Sequence, residues 1–272
     1  MSPTAINTRH LAASKAEAVI PLIPTIVVAS FKGGTWKTSL SVAIAERLAW
    51  TGLHVVLLIS DRQDDGRRRL GIRARDGATP RVQRGAGAIT VVGAAASKAA
   101  ALLYREGFES MGLPRPDVVV VDTPPFEQGG ALPGVFLVAT TDGDDASQNL
   151  VSMLRRTPAT SRVLLVRIHV ADPAIWERDA GAIAQAAGLQ DLLYLPGPLP
   201  PSFAAKEALD KGRSVWGLPR RDATQAFLEG VESVTAAGWS WLKPAHKLPP
   251  GPPAPSGGAF ISGWDNEDGH AR

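Results

Sequence analysis

The stretch "SFKGGTWKTSL", residues 30–40, decides how the chain around it folds. Gly33 and Gly34 form a loop whose backbone N–H groups can turn inward, and Lys37 and Thr38 add an ammonium and a hydroxyl. An apolar run precedes this loop and a helical pattern follows it, so the positive end of a helix dipole faces the same place. These features are typical of a loop that binds phosphate groups at the start of a helix.

Trp36 is the unusual residue of this loop. The common phosphate-loop pattern, GxxxxGK[ST], has glycine at the positions that Phe31 and Trp36 occupy here. If the backbone at Trp36 requires a positive φ, the tryptophan costs about 1 kcal/mol or more relative to glycine. Three outcomes stay open. The indole lies outward against a partner or a neighbouring helix, or a bound nucleotide is hydrolysed slowly, or the site is degenerate.

Short apolar runs alternate with helical patterns on both sides of this loop. Strands are predicted over residues 25–31, 54–60, 88–92, 117–123, 134–140, 162–170 and 192–196. Helices are predicted over residues 37–52, 94–107, 145–156, 173–187, 202–211 and 221–242. Such alternation indicates an α/β fold, with a mostly parallel twisted sheet and helices on both faces.

This pattern divides the chain into three parts. Residues 25–242 are predicted to form a single P-loop NTPase domain. Residues 1–24 are expected to be a flexible leader. Residues 243–272 are rich in proline and glycine and are expected to be a disordered tail.

Composition excludes several classes of protein. The 272 residues include no cysteine, which excludes a disulfide framework, thiol catalysis and iron–sulfur clusters held by cysteines. No apolar run approaches the roughly 20 residues that a membrane-spanning helix needs, and the N-terminus does not resemble a secretory signal. The formal net charge of +3 is only weak support for a polyanionic partner.

Four segments of the chain resemble the ParA/MinD family of deviant Walker A ATPases. "KGGTWKT" (32–38) resembles the family's KGG(V/T)GKT, and "PDVVVVDTPPF" (116–126) resembles a buried strand that ends in DTPP. "VLLISDRQ" (56–63) is similar to the family's switch-I segment, and residues 202–219 are similar to its late segment near the base. Three further departures accompany Trp36. Ile59 and Arg62 replace an aspartate and a proline of switch I, and Pro200 and Pro201 stand where an arginine is common.

This resemblance implies that the chain binds ATP with Mg²⁺ and hydrolyses the ATP. The residues implied in nucleotide binding are Lys32, Gly33, Gly34, Thr35, Trp36, Lys37, Thr38 and Ser39. The residues implied in Mg²⁺ binding are Thr38, Asp61 and Asp122. The implied catalytic residues are Lys32, Lys37 and Asp61, with Asp61 orienting the attacking water and Lys32 reaching the partner's phosphates in a homodimer.

The resemblance also implies macromolecular partners. Members of the family bind double-stranded DNA without sequence preference in the ATP state, and here Arg213, Arg220 and Arg221 are the candidate contacts. A cargo adaptor, ParB-like or another small DNA-binding protein, is expected, and membrane binding is not. We therefore expect a cytoplasmic, nucleoid-associated protein. The segment 61–84 holds eight arginines and four aspartates, and is interpreted either as a solvated, self-paired surface or as a basic patch.

Two hypotheses about function follow from this interpretation. The first is a ParA-like ATPase, slow and partner-stimulated, that segregates or positions a plasmid, a chromosome region or another cargo. The second is a nucleotide-binding regulatory or scaffold protein with little turnover because of Trp36, for example in conjugative transfer or organelle spacing. A metabolic enzyme of the wider fold is a third, more distant hypothesis, because the sequence has no motif for a substrate pocket.

Overall fold

The computed structural model describes residues 20–30, 36–60, 65–73, 76–124, 132–142, 147–169, 172–189 and 192–252. Predictions for residues 1–19 and 253–272, and for the gaps between these ranges, lie outside the described residues. In the residues that the structure describes, no helix is long and apolar enough to cross a membrane.

One eight-stranded sheet organises the molecule, in the order β3-β4-β2-β5-β1-β6-β7-β8. The strands are β1 (Thr25–Ala29), β2 (His54–Ile59), β3 (Arg81–Arg84), β4 (Gly87–Gly93), β5 (Val118–Asp122), β6 (Phe136–Thr141), β7 (Arg162–Arg167) and β8 (Leu193–Tyr194). Every neighbouring pair is parallel except β3 and β4. The mostly parallel α/β fold class is thus confirmed.

Seven α-helices are present in the described ranges. They are α1 (Lys37–Trp50), α2 (Asp65–Arg69), α3 (Ala96–Ala101), α4 (Ser147–Arg155), α5 (Pro173–Ala187), α6 (Phe203–Asp210) and α7 (Asp222–Leu242). The predicted helix over residues 94–107 is α3 followed directly by a π-helical turn, Leu102–Glu106. A π-helix forms only in short pieces, so the helical stretch changes geometry part-way along.

Two hydrophobic layers cover the sheet. The first contains Leu40, Phe136 and Phe227 and packs α1, α6 and α7 on one face. The second contains Phe108 and Trp176 and packs α3, α4 and α5 on the other face. Because β1 and β5 are covered on both sides, all of their residues are buried, which explains their uninterrupted apolar sequences.

The arginine-rich segment contains a strand that its composition did not reveal. β3 pairs antiparallel with β4, with Arg84 opposite Gly87. The guanidinium of Arg84 is buried and lies 2.7 Å from the carboxylate of Glu46 on α1, which is itself fully buried. At this position neither predicted interpretation of the segment, solvated surface or basic patch, describes the structure.

The first ten residues of the predicted tail contact the domain. Leu248 packs against the layer that contains α1 and α7. The Arg47 guanidinium donates to the carbonyl oxygen of Pro249 at 2.6 Å, and Arg220 donates to that of Pro252 at the same distance. Residues 243–252 therefore form a C-terminal strap on the domain. The prediction for residues 253–272 stays a prediction.

Candidate nucleotide-binding site

The carboxyl ends of β1, β2 and β5 meet at one edge of the sheet. Val28 and Ile59 are the register partners of Asp122, from β1 and β2 respectively. Thr123 donates to the Val28 carbonyl from its backbone N–H at 3.4 Å and from its hydroxyl at 2.9 Å. Ser60 donates to the Asp122 carbonyl in the same two ways, at 3.0 and 3.1 Å. These bonds fix Asp122 where ligands of open α/β sheets bind.

Trp36 precedes α1 in the left-handed conformation, with φ 58° and ψ 14°. Its carbonyl accepts the first hydrogen bond of the helix, from Leu40 N–H at 2.8 Å. The indole is half-buried and packs against Phe227 of α7, with ring centroids 5.6 Å apart and ring planes at 58°. A tilted aromatic pair of this kind is favourable. The backbone at Trp36 thus has the geometry that glycine usually provides, while the side chain lies against a neighbouring helix.

Lys37, Thr38 and Ser39 form the first turn of α1. Lys37 is 7% exposed and Ser39 is 3% exposed, while Thr38 is half-buried. The Ser41 hydroxyl lies 3.0 Å from the carbonyl oxygen of Lys37 and 3.3 Å from Oδ1 of Asp122. Ser41 therefore connects the start of α1 to the end of β5.

These residues fit a nucleotide with Mg²⁺. A buried lysine begins α1, and the N–H groups in the first turn of a helix suit phosphate. Asp122 is 1% exposed, and its carboxylate is a hard oxygen ligand of the kind that Mg²⁺ prefers, as is the hydroxyl of Thr38, the residue after Lys37. The structure places Lys37 and Ser39 in the first turn of α1 and links that turn to Asp122 through Ser41, while the roles of these residues stay predictions.

Five predicted site residues lie outside the described residues, namely Lys32, Gly33, Gly34, Thr35 and Asp61. Chain connectivity puts the first four between Ser30 and Trp36, and puts Asp61 directly after Ser60. Their roles stay predictions.

Sequence reasoning missed two residues at this site. Ser41 follows Lys37 by four residues on the same buried helix face, which is a signal that could have identified it. Arg69, the last residue of α2, donates from Nη1 to the Ser39 hydroxyl at 2.8 Å. No sequence signal distinguishes Arg69 from Arg67 and Arg68 beside it.

The three predicted DNA contacts do not share one environment. Arg213 and Arg221 are exposed, the first just after α6 and the second just before α7. Arg220 is half-buried and is held by the carbonyl of Pro252 in the C-terminal strap. Two of the three guanidinium groups are therefore accessible as they stand.

Helix α6 carries two carboxylates whose pKa values are lowered by neighbouring basic residues. A hydrogen bond from Lys206 is the main cause that lowers the pKa of Asp210; burial opposes it, and the charges of Arg69, Lys206 and Arg68 lower the pKa further. A hydrogen bond from Lys211 similarly lowers the pKa of Glu207. Both carboxylates therefore stay ionised at neutral pH beside a group of basic residues.

No protein-family model matches the chain, and no curated protein matches it. Solved structures do match. The ParA of pNOB8 is 15% identical with a TM-score of 0.57, covering 83% of this chain and 100% of that one. A second structure shows pNOB8 ParA bound to nonspecific DNA.

Two further matches have the same fold. McdA from Cyanothece in its apo form is 17% identical with a TM-score of 0.55, covering 78% of this chain and 99% of that one; a variant of McdA is solved as an ATP complex. MinD from Pyrococcus horikoshii OT3, complexed with Mg-ADP, is 17% identical with a TM-score of 0.52, covering 78% and 96%.

The mostly parallel sheet, covered by helices on both faces, defines an α/β domain. Within that class, the chain has the ParA/MinD-like fold, as its motifs predict.

Proposed function

We propose that the chain is a ParA-like ATPase that binds Mg–ATP at the start of α1. One observation carries this proposal. The Ser41 hydroxyl lies within hydrogen-bond distance of the backbone carbonyl of Lys37 and of the buried carboxylate of Asp122, so it links the first residue of α1 to the end of β5 in a ParA/MinD-like fold. The residue that would supply a cation for phosphate is therefore linked to an oxygen ligand for Mg²⁺ at a helix end that favours anions, which supports a site for Mg–ATP.

Each residue of the site has a proposed role. Lys37 binds the β- and γ-phosphates, and the loop residues Lys32, Gly33, Gly34 and Thr35 enclose them together with Trp36, Thr38 and Ser39. Thr38, Asp61 and Asp122 hold Mg²⁺, which when bound neutralises charge that develops on the phosphates. Asp61 orients the attacking water. Lys32 reaches the nucleotide of the partner subunit, so that ATP favours a homodimer.

The wider function is the movement or positioning of a cargo in the cytoplasm, on the nucleoid. The ATP-bound dimer binds double-stranded DNA without sequence preference through Arg213, Arg220 and Arg221, and a ParB-like or other DNA-binding adaptor stimulates slow hydrolysis. The related folds support this proposal, because they were solved with ATP, with Mg-ADP and with nonspecific DNA.

The test is binding of the purified protein to arbitrary duplex DNA with Mg–ATP and with Mg–ADP. We expect binding only with ATP, and we expect Lys37→Ala to abolish it because the γ-phosphate loses its main cation. Binding that ignores the nucleotide would show that the basic residues act alone. No DNA binding in either state would reject the DNA-carrier function.

A second candidate function rests on Trp36. Its left-handed backbone and its contact with Phe227 favour a loop that binds a nucleotide but is restrained from the changes that turnover requires. The chain would then be a regulatory or scaffold protein. Tight ATP binding without measurable hydrolysis, and hydrolysis gained by Trp36→Gly, would support this function over the first.

A further inference from the structure

Arg69 has an unusual position among the arginines of its segment. Its side chain is only 14% exposed, whereas that of the preceding Arg68 is 57% exposed. Nη1 donates to the hydroxyl of Ser39, in the first turn of α1. The guanidinium of Arg69 therefore lies beside the end of the helix at which phosphate groups are expected.

The charge and hydrogen bonds of Arg69 are only partly satisfied by the residues that the structure describes. Among them, buried Nε has no hydrogen-bond partner. The nearest carboxylate there is that of Asp210, 3.7 Å from Nη1, which is longer than a hydrogen bond. Asp210 is also 2.7 Å from the ammonium of Lys206 and 4.0 Å from Arg68. One carboxylate thus serves three cations, and the neighbouring acid of α2, Asp65, faces Arg68.

The backbone holds Arg69 in this place. Gly71 and Gly212 both have positive φ, of 75° and 69°, and they lie in direct contact. A Cβ added to Gly212 would lie 2.4 Å from the Cα of Gly71, so any side chain there would force the segments apart. This contact fixes the end of α2 against the end of α6. Arg69, the last residue of α2, is thereby held where its side chain reaches Ser39.

We propose that Arg69 is an additional nucleotide-binding residue that contacts the phosphates shared by ADP and ATP, beside Ser39. Lys37 is the residue that reaches towards the γ-phosphate, and Ser39 lies two residues further along the helix. The partner of Arg69 is therefore the α- or the β-phosphate of the nucleotide. A guanidinium can donate to Ser39 and to a phosphate oxygen at once, which an ammonium does less well. This inference rests on the proposed function, because it requires a nucleotide at α1.

The test is calorimetric titration of the full chain with Mg–ADP and with Mg–ATP, before any assay of hydrolysis. We expect Arg69→Ala to raise both dissociation constants about tenfold, as loss of a charged hydrogen bond would. Arg69→Lys should give an intermediate loss. The matched control is Arg68→Ala, which removes the same charge from the neighbouring, exposed position and should change the constants less than about twofold.

Thermal melting without nucleotide separates binding from folding. If Arg69→Ala melts well below the wild type, Arg69→Gln replaces it, because the amide keeps a donor for Ser39 and most of the volume. Equal affinities for the Arg69 and Arg68 variants would overturn the inference and leave the proposed function standing. A loss confined to ATP would overturn the assignment to the shared phosphates. A wild type that binds neither nucleotide would overturn the proposed function, and this inference with it.

Discussion

Trp36 shows how a phosphate loop can accept a large residue in place of glycine. The left-handed backbone costs an L-residue about 1–2 kcal/mol. Burial of part of the indole and its contact with Phe227 offset this cost, since a fully buried aromatic side chain contributes about 3 kcal/mol and an aromatic pair about 1 kcal/mol more. The residue therefore couples the start of α1 to α7.

The strain at Trp36 can be separated from its packing. Trp36→Gly and Trp36→Ala both remove the indole, but only glycine relieves the left-handed backbone at φ 58°. We expect both variants to be less stable than the wild type, and Trp36→Gly to be more stable than Trp36→Ala by about 1 kcal/mol. Urea unfolding measures this difference directly. An alanine variant as stable as the glycine variant would show that the backbone at this position is not strained.

At the scale of the element, α1 carries two adjacent, fully buried charges. Glu46 faces Arg84 of β3 and also accepts from the Ser214 hydroxyl at 2.9 Å. Arg47 pairs with Glu232 of α7. The two charged side chains contact different elements, β3 and α7, so they attach α1 to both of them. Both partners are buried in the Glu46–Arg84 pair, which makes this pair intolerant of losing one of them, whereas Glu232 is 38% exposed.

Loss of Arg84 tests this attachment. Arg84→Met leaves Glu46 buried without its cation and should lower the free energy of unfolding by about 3 kcal/mol. Arg81→Met is the matched control, because Arg81 lies on the same strand and is exposed, so its loss should cost little. Denaturant unfolding of the two variants gives the comparison. The double variant Glu46→Met, Arg84→Met should recover part of the loss, and a single variant no less stable than the control would contradict the prediction.

Helix α6 gives a prediction about pH. Because the folded state lowers the pKa of Asp210, chiefly through the bond from Lys206, this group stabilises the fold above its unfolded pKa of about 4. That contribution is lost as the pH falls through the lower, folded pKa. Asp210→Asn should therefore lose less stability than the wild type between about pH 6 and pH 3, by less than about 1 kcal/mol because the pair is partly solvated.

The measurement is the unfolding free energy of both proteins over this pH range, at low and at high salt. Added salt should shrink the difference, since it screens Lys206 and the arginines around the carboxylate. Parallel curves for the two proteins would show that Asp210 does not contribute to the acid sensitivity of the fold.

At the scale of the whole molecule, uninterrupted apolar runs predicted the sheet well. "TIVVA" and "VVVVD" became β1 and β5 because both faces of a central parallel strand are buried. "RVQR" was missed as β3, because an edge strand with charged residues has no apolar run to mark it. The burial of Arg84 depends on Glu46, 38 residues away, and no local pattern reports such a contact.

The residues of the candidate site were likewise predicted from the sequence only in part. Lys37 and Asp122 were predicted because each belongs to a short motif at a strand end. Arg69 was not, because its role comes from the approach of α2 to α1 and α6, which only the folded chain shows. For Trp36, the sequence predicted only what a left-handed backbone would cost if the loop required one. The loop pattern favours such a backbone at this position, but a tryptophan rarely adopts it.

The C-terminal strap, residues 243–252, gives the last prediction. It buries Pro252, partly buries Leu248 and supplies carbonyl acceptors to Arg47 and Arg220. A chain that ends after residue 247 should therefore lose about 2 kcal/mol of unfolding free energy relative to one that ends after residue 256.

The same truncation bears on DNA binding. It leaves Arg220 without the Pro252 carbonyl, so if Arg220 binds phosphate, the shorter chain should bind duplex DNA more tightly in Mg–ATP, with a steeper salt dependence. Arg220→Ala in the shorter chain is the control and should remove the gain. A shorter chain that is less stable but binds DNA no more tightly would mean that the strap only stabilises the domain and that Arg220 is not part of the DNA-binding surface.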